Sequence, residues 1–192
     1  MSDAPIAAGK SSFGMVDVAR VFNLLDLKPD TVMLDMGCGR GNYTLAAATR
    51  IDHRGMIHAA DLWKEGVMEL DAAIAERGLS HIDPLVVDIS KSIPLESATI
   101  DVCLFATVIH DLVADGTAEG ALREARRLLK PSGTLAVVEF EKKPGPPGPP
   151  ASIRLSESQL DDLLNPFGFV RRRWESVGDH HYLSLYGIGA AA

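Results

Sequence analysis

Residues 34–44 constrain the fold of this chain more than any other stretch. Three alternating glycines, Gly37, Gly39 and Gly41, follow directly on an apolar run at residues 31–34. Glycine is needed where the backbone takes a positive φ or approaches a ligand with no Cβ in between. Because an alanine-rich segment follows, the pattern predicts a buried strand, a tight loop and a helix. We expect the loop to cradle a nucleotide-type ligand at the carboxyl end of that strand.

The spacing of these glycines and a nearby carboxylate restrict the ligand further. The dinucleotide fingerprint is G-x-G-x-x-G, whereas here the third glycine comes one residue earlier, and Asp35 lies two residues before the first glycine. A carboxylate beside the loop repels a phosphate and attracts a cation. A positively charged ligand without phosphate is favoured, and S-adenosylmethionine (SAM), with its sulfonium and ammonium groups, fits that description.

Strands alternate with helices along the chain, which predicts βαβ units and a parallel sheet. The strands are nearly continuous apolar runs, as is typical of a sheet covered on both faces. Helices are predicted over residues 11–27, 43–51, 64–77, 118–129 and 156 to about 165, and strands over residues 31–34, 56–60, 85–87, 100–108, 134–140, 169–174 and 182–188. Gly78 is expected to end the third helix. Residues 144–150, rich in proline and glycine, predict a stiff surface loop.

Length and composition indicate one globular domain. The chain has 192 residues, of which 46% are hydrophobic, and this is enough for a substantial single core. Residues 1–10 are expected to form a flexible tail and residues 11–192 the domain. No apolar run approaches the ~18 residues of a membrane span, and the first ten residues lack the pattern of a secretory signal. A cytoplasmic location is therefore expected.

The charge of the chain argues against nucleic acid or an anionic membrane as a partner. The net charge is −7 and the pI is about 5.3, so no overall field attracts polyanions. Residues 171–173, three arginines, form the only obvious basic cluster. The two cysteines, Cys38 and Cys103, lie far apart and show no spacing of a disulfide framework or a metal site. The sequence predicts no oligomeric state.

Polar residues stand where four predicted strands end, and such ends form the binding crevice of open α/β sheets. Asp35, Asp61 and Asp88 follow the first three strands, and His110 and Asp111 follow the fourth. Asp61 is predicted to accept both hydroxyls of a ribose, with a helix N-cap as the alternative. This coincidence of strand ends is the strongest evidence from the sequence for a site.

The neighbours of these carboxylates suggest how an adenine would be held. Leu62 and Trp63 are placed to pack on its face, although core packing of Trp63 is an equal alternative. Asp88 is expected to accept the amino group of the adenine while Ile89 packs on the ring; capping of the next turn is its alternative role. Asp35 is expected to order the loop and to supply negative charge near the ammonium.

The glycine loop, the acidic residues after the second and third strands, residues 101–111 and the turn at residues 129–133 together resemble the class I SAM-dependent methyltransferases. The resemblance extends over residues 11–188 and is greatest to the branch of the ubiquinone/menaquinone C-methyltransferases. It implies a seven-stranded, mostly parallel sheet with an antiparallel last strand, SAM as cofactor and a methyl-transfer reaction. Cys38 and Tyr43 are then expected beside the cofactor, Cys38 as a small filler and Tyr43 at the amino-acid end or in helix packing.

His110 is the candidate general base of the transfer, oriented by Asp111. The alternatives are a histidine that only caps its loop and an aspartate that only caps the next helix. Glu139 and Arg154 are weaker candidates for substrate contact, and residues 180–181 are expected to be solvated histidines.

The acceptor is expected to be a small molecule. No Asn-Pro-Pro-Tyr-type motif follows the fourth strand, and the resemblance associates that motif with methylation of nucleic-acid bases. Residues 144–150 and the segment around Phe13 and Met15 are expected to cover the acceptor as a lid. A quinone-ring C-methyltransferase and a non-catalytic SAM-binding protein remain as alternatives, and an NAD-dependent oxidoreductase is disfavoured by the glycine spacing and by Asp35.

Overall fold

The computed structural model describes residues 8–189. One sheet carries all seven strands: β1 (Val32–Met36), β2 (Met56–Asp61), β3 (Ile82–Val86), β4 (Ile100–Ala106), β5 (Leu129–Phe140), β6 (Phe169–Gly178) and β7 (His181–Ile188). The helices are α1 (Val18–Leu25), α2 (Asn42–Ala47), α3 (Lys64–Arg77), α4 (Ile109–Ala114), α5 (Ala118–Leu128) and α6 (Glu157–Leu164), with short 3₁₀ turns at Phe13–Met15 and Asn165–Phe167.

The strand order is β3-β2-β1-β4-β5-β7-β6. Strands β1 to β5 pair in parallel, and β7 is antiparallel to both β5 and β6. The predicted seven-stranded, Rossmann-like sheet with an antiparallel C-terminal hairpin is thus confirmed. The chain reverses its direction of winding between β1 and β4, and a crevice opens at such a switch point beyond the carboxyl ends of the strands.

Two apolar clusters cover the two faces of the sheet, as the unbroken apolar strands predict. One contains side chains of α1, α2 and α3. The other contains side chains of α4, α5 and α6. Most of both faces is therefore covered, and the strand ends stay open to a polar ligand. Within residues 8–189, no helix combines the length and the apolar character that crossing a membrane requires.

Several predicted bounds are wrong, each for a local reason. The first helix begins only at Val18, because the side chain of Asp17 accepts the N–H of Arg20 and caps it there. Strand β3 begins at Ile82 and tolerates Pro84, because it is an edge strand. The short helix α4 directly follows β4 and was not predicted. The first seven residues of the expected tail lie outside the described part, while residues 8–10 lie against the cavities described next.

Candidate functional site

A crevice opens at the switch point and consists of two adjoining cavities of about 240 and 40 Å³. We call it the glycine-loop crevice. Seven of the predicted cofactor-binding residues line the larger cavity: Gly37, Gly39, Asp61, Leu62, Trp63, Asp88 and Ile89. Three more line the smaller one: Asp35, Cys38 and Tyr43. The tertiary fold therefore brings together residues that are separated by up to 54 positions in the chain, from Asp35 to Ile89.

The glycine loop has the conformation that its sequence requires. Gly37 has φ +82°, and a Cβ there would lie 2.8 Å from Cγ2 of Val108. Gly41 has φ +75° and packs on Leu70 of α3, so its role is in the packing of the loop and it lines neither cavity. A Cβ on Gly39 would meet nothing within 4 Å, which leaves space for a ligand where the loop faces the crevice.

Asp61 ties the glycine loop to the end of β2. One carboxylate oxygen accepts the backbone N–H of Gly39 at 2.7 Å and the other accepts that of Trp63 at 2.7 Å. The N-cap of α3 is Trp63 itself, so the alternative of a helix cap at Asp61 is wrong. Each oxygen of a carboxylate has a second lone pair, and Asp61 therefore retains one acceptor position on each oxygen.

Trp63 stands at the mouth of the crevice. Its side chain is half-buried and belongs to neither apolar cluster, which contradicts the core-packing alternative. Its ring lies against Gly66, and the guanidinium carbon of Arg40 lies 5.2 Å from the ring centroid. The neighbouring Leu62 is 56% exposed although it lines the crevice. An apolar, accessible surface is thus available to a flat ligand.

Asp88 caps the turn that follows it, which was the alternative to binding the adenine, and it lines the crevice as well. Its Oδ1 accepts both the backbone N–H and the hydroxyl of Ser90, at 3.0 and 2.6 Å. Its Oδ2 lies 3.0 Å from Nζ of Lys91. The hydrogen bonds from Ser90 and the charge of Lys91 outweigh partial burial and lower the pKa of Asp88. The carboxylate is therefore fixed and charged at the edge of the crevice, next to the buried Ile89.

Asp35 is buried at the floor of the loop. It is 1% exposed and accepts the hydroxyl of Thr44, in α2, at 2.6 Å. Burial raises its pKa to about 6, although the hydrogen bond from Thr44 acts in the opposite direction. A nearby cation would stabilise the ionised form. Ionisation of Asp35 therefore costs free energy in the free protein, and a cation bound nearby would lower that cost.

Replacement of Asp35 by asparagine is expected to stabilise the free protein at pH 8 but not at pH 4. The unfolded chain loses this proton near pH 3.8 and the folded chain near pH 6, so the free energy of unfolding falls between these values by about 3 kcal/mol. Asparagine removes this loss and still accepts from Thr44. Urea denaturation of both proteins at the two pH values measures the difference, with the exposed Asp71→Asn as control. An equal effect at pH 4 and pH 8 would contradict the assignment.

A chain of hydroxyl groups connects the crevice to the segment before α1. The hydroxyl of Ser12, 2% exposed, lies 3.0 Å from the hydroxyl of Tyr43 and 3.0 Å from Oγ1 of Thr107. Burial raises the pKa of Tyr43 to about 12. Thr107 has φ +56° at the end of β4, an unusual conformation for a threonine. Burial also raises the pKa of the Cys38 thiol, which agrees with a filler rather than a nucleophile.

A third cavity, of about 600 Å³, lies beyond the end of β4. We call it the proline-loop cavity. Its lining includes Met15, His110, Phe140, Gly148, Pro149 and Pro150. The expected lid segments therefore meet here, except that Phe13 packs edge-on against Tyr43 instead, with ring centroids 5.3 Å apart. Lys10, Thr107 and Asp111 line both this cavity and the larger cavity of the crevice.

His110 is oriented by Glu139, which sequence reasoning assigned to substrate contact. Nδ1 of the ring lies 2.8 and 2.9 Å from the two carboxylate oxygens, and the backbone N–H of His110 donates to Oε1 at 3.1 Å. Glu139 is fully buried and also accepts the N–H of Phe140. Because a carboxylate only accepts, Nδ1 carries the proton. The lone pair at Nε2 is then left for a ligand.

The expected orienting role of Asp111 is not what the geometry shows. Its Oδ2 lies 3.6 Å from Nε2 of His110, beyond the range of a hydrogen bond. Burial alone would lower the pKa of His110, but the hydrogen bond and charge of Glu139, with the charge of Asp111, outweigh it and raise that pKa. Glu139 is the single charged residue in the apolar run of residues 135–140; the sequence therefore drew attention to it but did not indicate that its partner is His110.

Two other predicted residues are also placed differently. Arg154 is 2% exposed and binds backbone carbonyls rather than facing the cavity. His181 is fully buried in β7, beside the ring of Phe140, and burial lowers its pKa to about 4. The expectation of a solvated residue there is wrong, because β7 lies between β5 and β6 in the sheet. Among residues 8–189, no cluster of three or more possible metal ligands is found.

Comparison with known proteins places this site in a family. The model of a family described as "Methyltransferase domain" matches residues 34–137. The chain is 36% identical to the aklanonic acid methyltransferase DauC of Streptomyces sp. over 83% of this chain and 74% of that protein. It is 31% identical to the nocamycin O-methyltransferase of Saccharothrix syringae over 70% of this chain and 44% of that protein. The chain thus spans less than half the length of the latter.

Among solved structures, a SAM-dependent methyltransferase from Aquifex aeolicus superposes with a TM-score of 0.83 at 26% identity, covering 91% of each chain. The [4+2]-cyclase SpnF superposes with a TM-score of 0.73 at 22% identity, covering 90% of this chain and 80% of that one, which shows a shared fold only. The family match over more than half of the chain, the identity to DauC and the glycine-loop crevice agree. This chain belongs to the class I SAM-dependent methyltransferases.

Proposed function

We propose that this chain transfers the methyl group of SAM to a small-molecule acceptor held in the proline-loop cavity. The observation that carries the proposal is that the larger cavity of the glycine-loop crevice adjoins the proline-loop cavity. Lys10, Thr107 and Asp111 line both of these cavities. Methyl transfer is a displacement at an already activated carbon, so alignment is the main task of the protein. Holding two reactants in line supplies on the order of 7–11 kcal/mol.

Residues of the glycine-loop crevice would hold the cofactor. The free lone pairs of Asp61 suit the two ribose hydroxyls. Leu62, Trp63 and Ile89 offer apolar surface to the adenine, and Asp88 offers an acceptor to its amino group. Asp35 suits the ammonium, because a cation stabilises the ionised form of a carboxylate that burial otherwise disfavours. SAM supplies the electrophilic methyl group when bound.

The side chains of the proline-loop cavity would prepare the acceptor. Nε2 of His110, with Nδ1 hydrogen-bonded to Glu139, is available to take a proton from an acceptor hydroxyl. Such a base typically adds 10²–10⁴-fold to a rate. This role suits the O-methylation named for the nocamycin relative.

The charged surface supports a small acceptor over nucleic acid. Arg171 pairs with Glu157 and Asp161, at 2.7 and 3.1 Å. Arg173 pairs with Glu175 at 2.8 Å. Two of the three consecutive arginines are therefore neutralised, and the overall charge is −7. We further propose a cytoplasmic location, which the two free thiols fit.

Calorimetric titration with SAM, S-adenosylhomocysteine (SAH) and NADH tests the cofactor assignment. Micromolar binding of SAM and SAH is expected, with none of NADH, because the carboxylates of the crevice repel a pyrophosphate. The same protein is then incubated with methyl-labelled SAM and three molecules that share one ring system: 2-naphthol, 2-naphthoate and 2-naphthylamine. Binding of NADH but not of SAM would contradict the proposal.

A quinone-ring C-methyltransferase is the second candidate. The chain is 27% identical to the UbiE C-methyltransferase of Hydrogenovibrio crunogenus, over 62% of this chain and 46% of that protein. It is also 27% identical to the 2-phytyl-1,4-naphtoquinone methyltransferase of Trichormus variabilis, over 60% of this chain and 49% of that protein. Adding 1,4-naphthoquinol to the panel separates the candidates, because a methyl group on carbon survives ether cleavage and one on oxygen does not.

A further inference from the structure

The wall of the proline-loop cavity is built from rings that cannot adapt. The phenyl ring of Phe140 and the pyrrolidine rings of Pro149 and Pro150 line it, together with Ile153. Proline fixes its own φ, and Phe140 is 5% exposed and packed between His110 and His181. The wall therefore presents the apolar faces of these rings to the cavity in one fixed arrangement.

One buried side chain holds the loop that forms this wall. Nε of Arg154 donates to the carbonyl of Pro149 at 2.8 Å, and Nη1 donates to that of Glu141 at 3.2 Å. Nη2 donates to the carbonyls of Gly145 and Pro147 at 2.7 and 2.6 Å. All four acceptors lie between residues 141 and 149, so the guanidinium bridges both ends and the middle of the loop.

The same guanidinium connects the loop to the sheet. Its central carbon lies 5.3 Å from the ring centroid of Phe140, at the end of β5. Gly148 lies so close to this ring that an added Cβ would overlap Cε1 of Phe140, and its φ is +91°. Within residues 8–189, Arg154 makes no ion pair with a carboxylate; carbonyl groups of the loop satisfy its donors. Arg154 and the packing of Gly148 on Phe140 therefore both support the shape of the loop.

We propose that Arg154 is a positioning residue which holds residues 141–150 against Phe140 as a rigid, flat wall, and that this wall selects planar aromatic acceptors. The inference rests on the proposed function and specifies its substrate class. A planar ring system can lie against the phenyl and proline faces over its whole area, whereas a puckered ring contacts them only in part. A loop released from Arg154 would adapt to both shapes and lose the preference.

Two alcohols that share a carbon skeleton test this selection. 2-Naphthol is planar and decahydro-2-naphthol is not. In protein saturated with SAH, we expect 2-naphthol to bind about tenfold more tightly, which corresponds to one well-formed aromatic contact. Arg154→Gln should remove most of this ratio and Arg154→Lys part of it, with Kd of SAH unchanged within about twofold. The exposed Arg172→Gln is the matched control and should retain the ratio.

A second variant leaves the charge of Arg154 intact. Gly148→Ala should push the loop off Phe140 and reduce the same ratio, so the test does not depend on the folding of the Arg154 variants. Equal binding of the two alcohols to the wild-type protein, binding of neither, or an unchanged ratio in the Gly148→Ala and Arg154 variants would each overturn the inference. Those results leave the proposed function standing as long as SAH binds; failure of SAH to bind would instead remove the proposed function.

Discussion

Asp61→Ala is expected to weaken SAM binding by about 2–4 kcal/mol, which is roughly 30- to 1000-fold in Kd. Two charge-assisted hydrogen bonds to the ribose would be lost. The N–H groups of Gly39 and Trp63 would also lose their acceptor, so the glycine loop would no longer be held in its binding conformation. Both effects act in the same direction. Titration calorimetry with SAM and SAH measures them together.

Two further variants separate these contributions. Asp71→Ala removes a carboxylate from the exposed side of α3 and should leave Kd within about twofold of the wild type, since surface substitutions have small effects. Asp61→Asn keeps one carbonyl acceptor for the loop but offers an amide group in place of the second acceptor. Its effect should fall between those of the wild type and alanine. An unchanged affinity in Asp61→Ala would contradict both contributions.

His110→Gln is expected to lower kcat by roughly 10²–10⁴-fold, the contribution of a positioned general base. The affinity for SAH should stay the same, because His110 lines the proline-loop cavity and not the glycine-loop crevice. The base works only as the neutral imidazole. Since Glu139 and Asp111 raise the pKa of His110 above 6.5 despite burial, the rate of the wild-type enzyme should rise with pH through that raised value. The variant should lack this dependence.

Two variants, each replacing a carboxylate by an amide of the same size, test which residue orients His110. Glu139→Gln replaces the acceptor of Nδ1 with an amide and should shift the pH–rate profile to lower pH, with a large loss of rate. Asp111→Asn should produce a smaller shift, because this carboxylate lies 3.6 Å from Nε2 and forms no hydrogen bond with the ring. The reverse order of effects would restore Asp111 as the orienting residue. Rates that are independent of His110 would indicate an acceptor that needs no deprotonation.

Local signals and the rules of chain connection account for most of the fold that the sequence predicts. Helix α3 has the predicted bounds, residues 64–77, because Gly78 takes a left-handed conformation that ends a helix by itself. Helix α6 begins close to the predicted residue because Ser156 and Gln159 form a capping box, whose hydrogen bonds likewise join residues only three apart. The parallel sheet follows from the alternation of strands and helices, and the positions of Asp35, Asp61 and Asp88 follow from where the strands end.

The family, the sheet and the floor of the glycine-loop crevice could thus be predicted from the sequence, because each depends on residues close in the chain or on the order of elements. Which side chains become partners depends instead on how distant segments come together in the folded chain. Glu139 meets His110 across 29 positions and Ser12 meets Thr107 across 95, and neither pairing leaves a pattern in the sequence. Arg154 is charged and therefore suggests exposure; it is buried because the loop folds its carbonyl groups around the guanidinium, and no local propensity encodes such an enclosure.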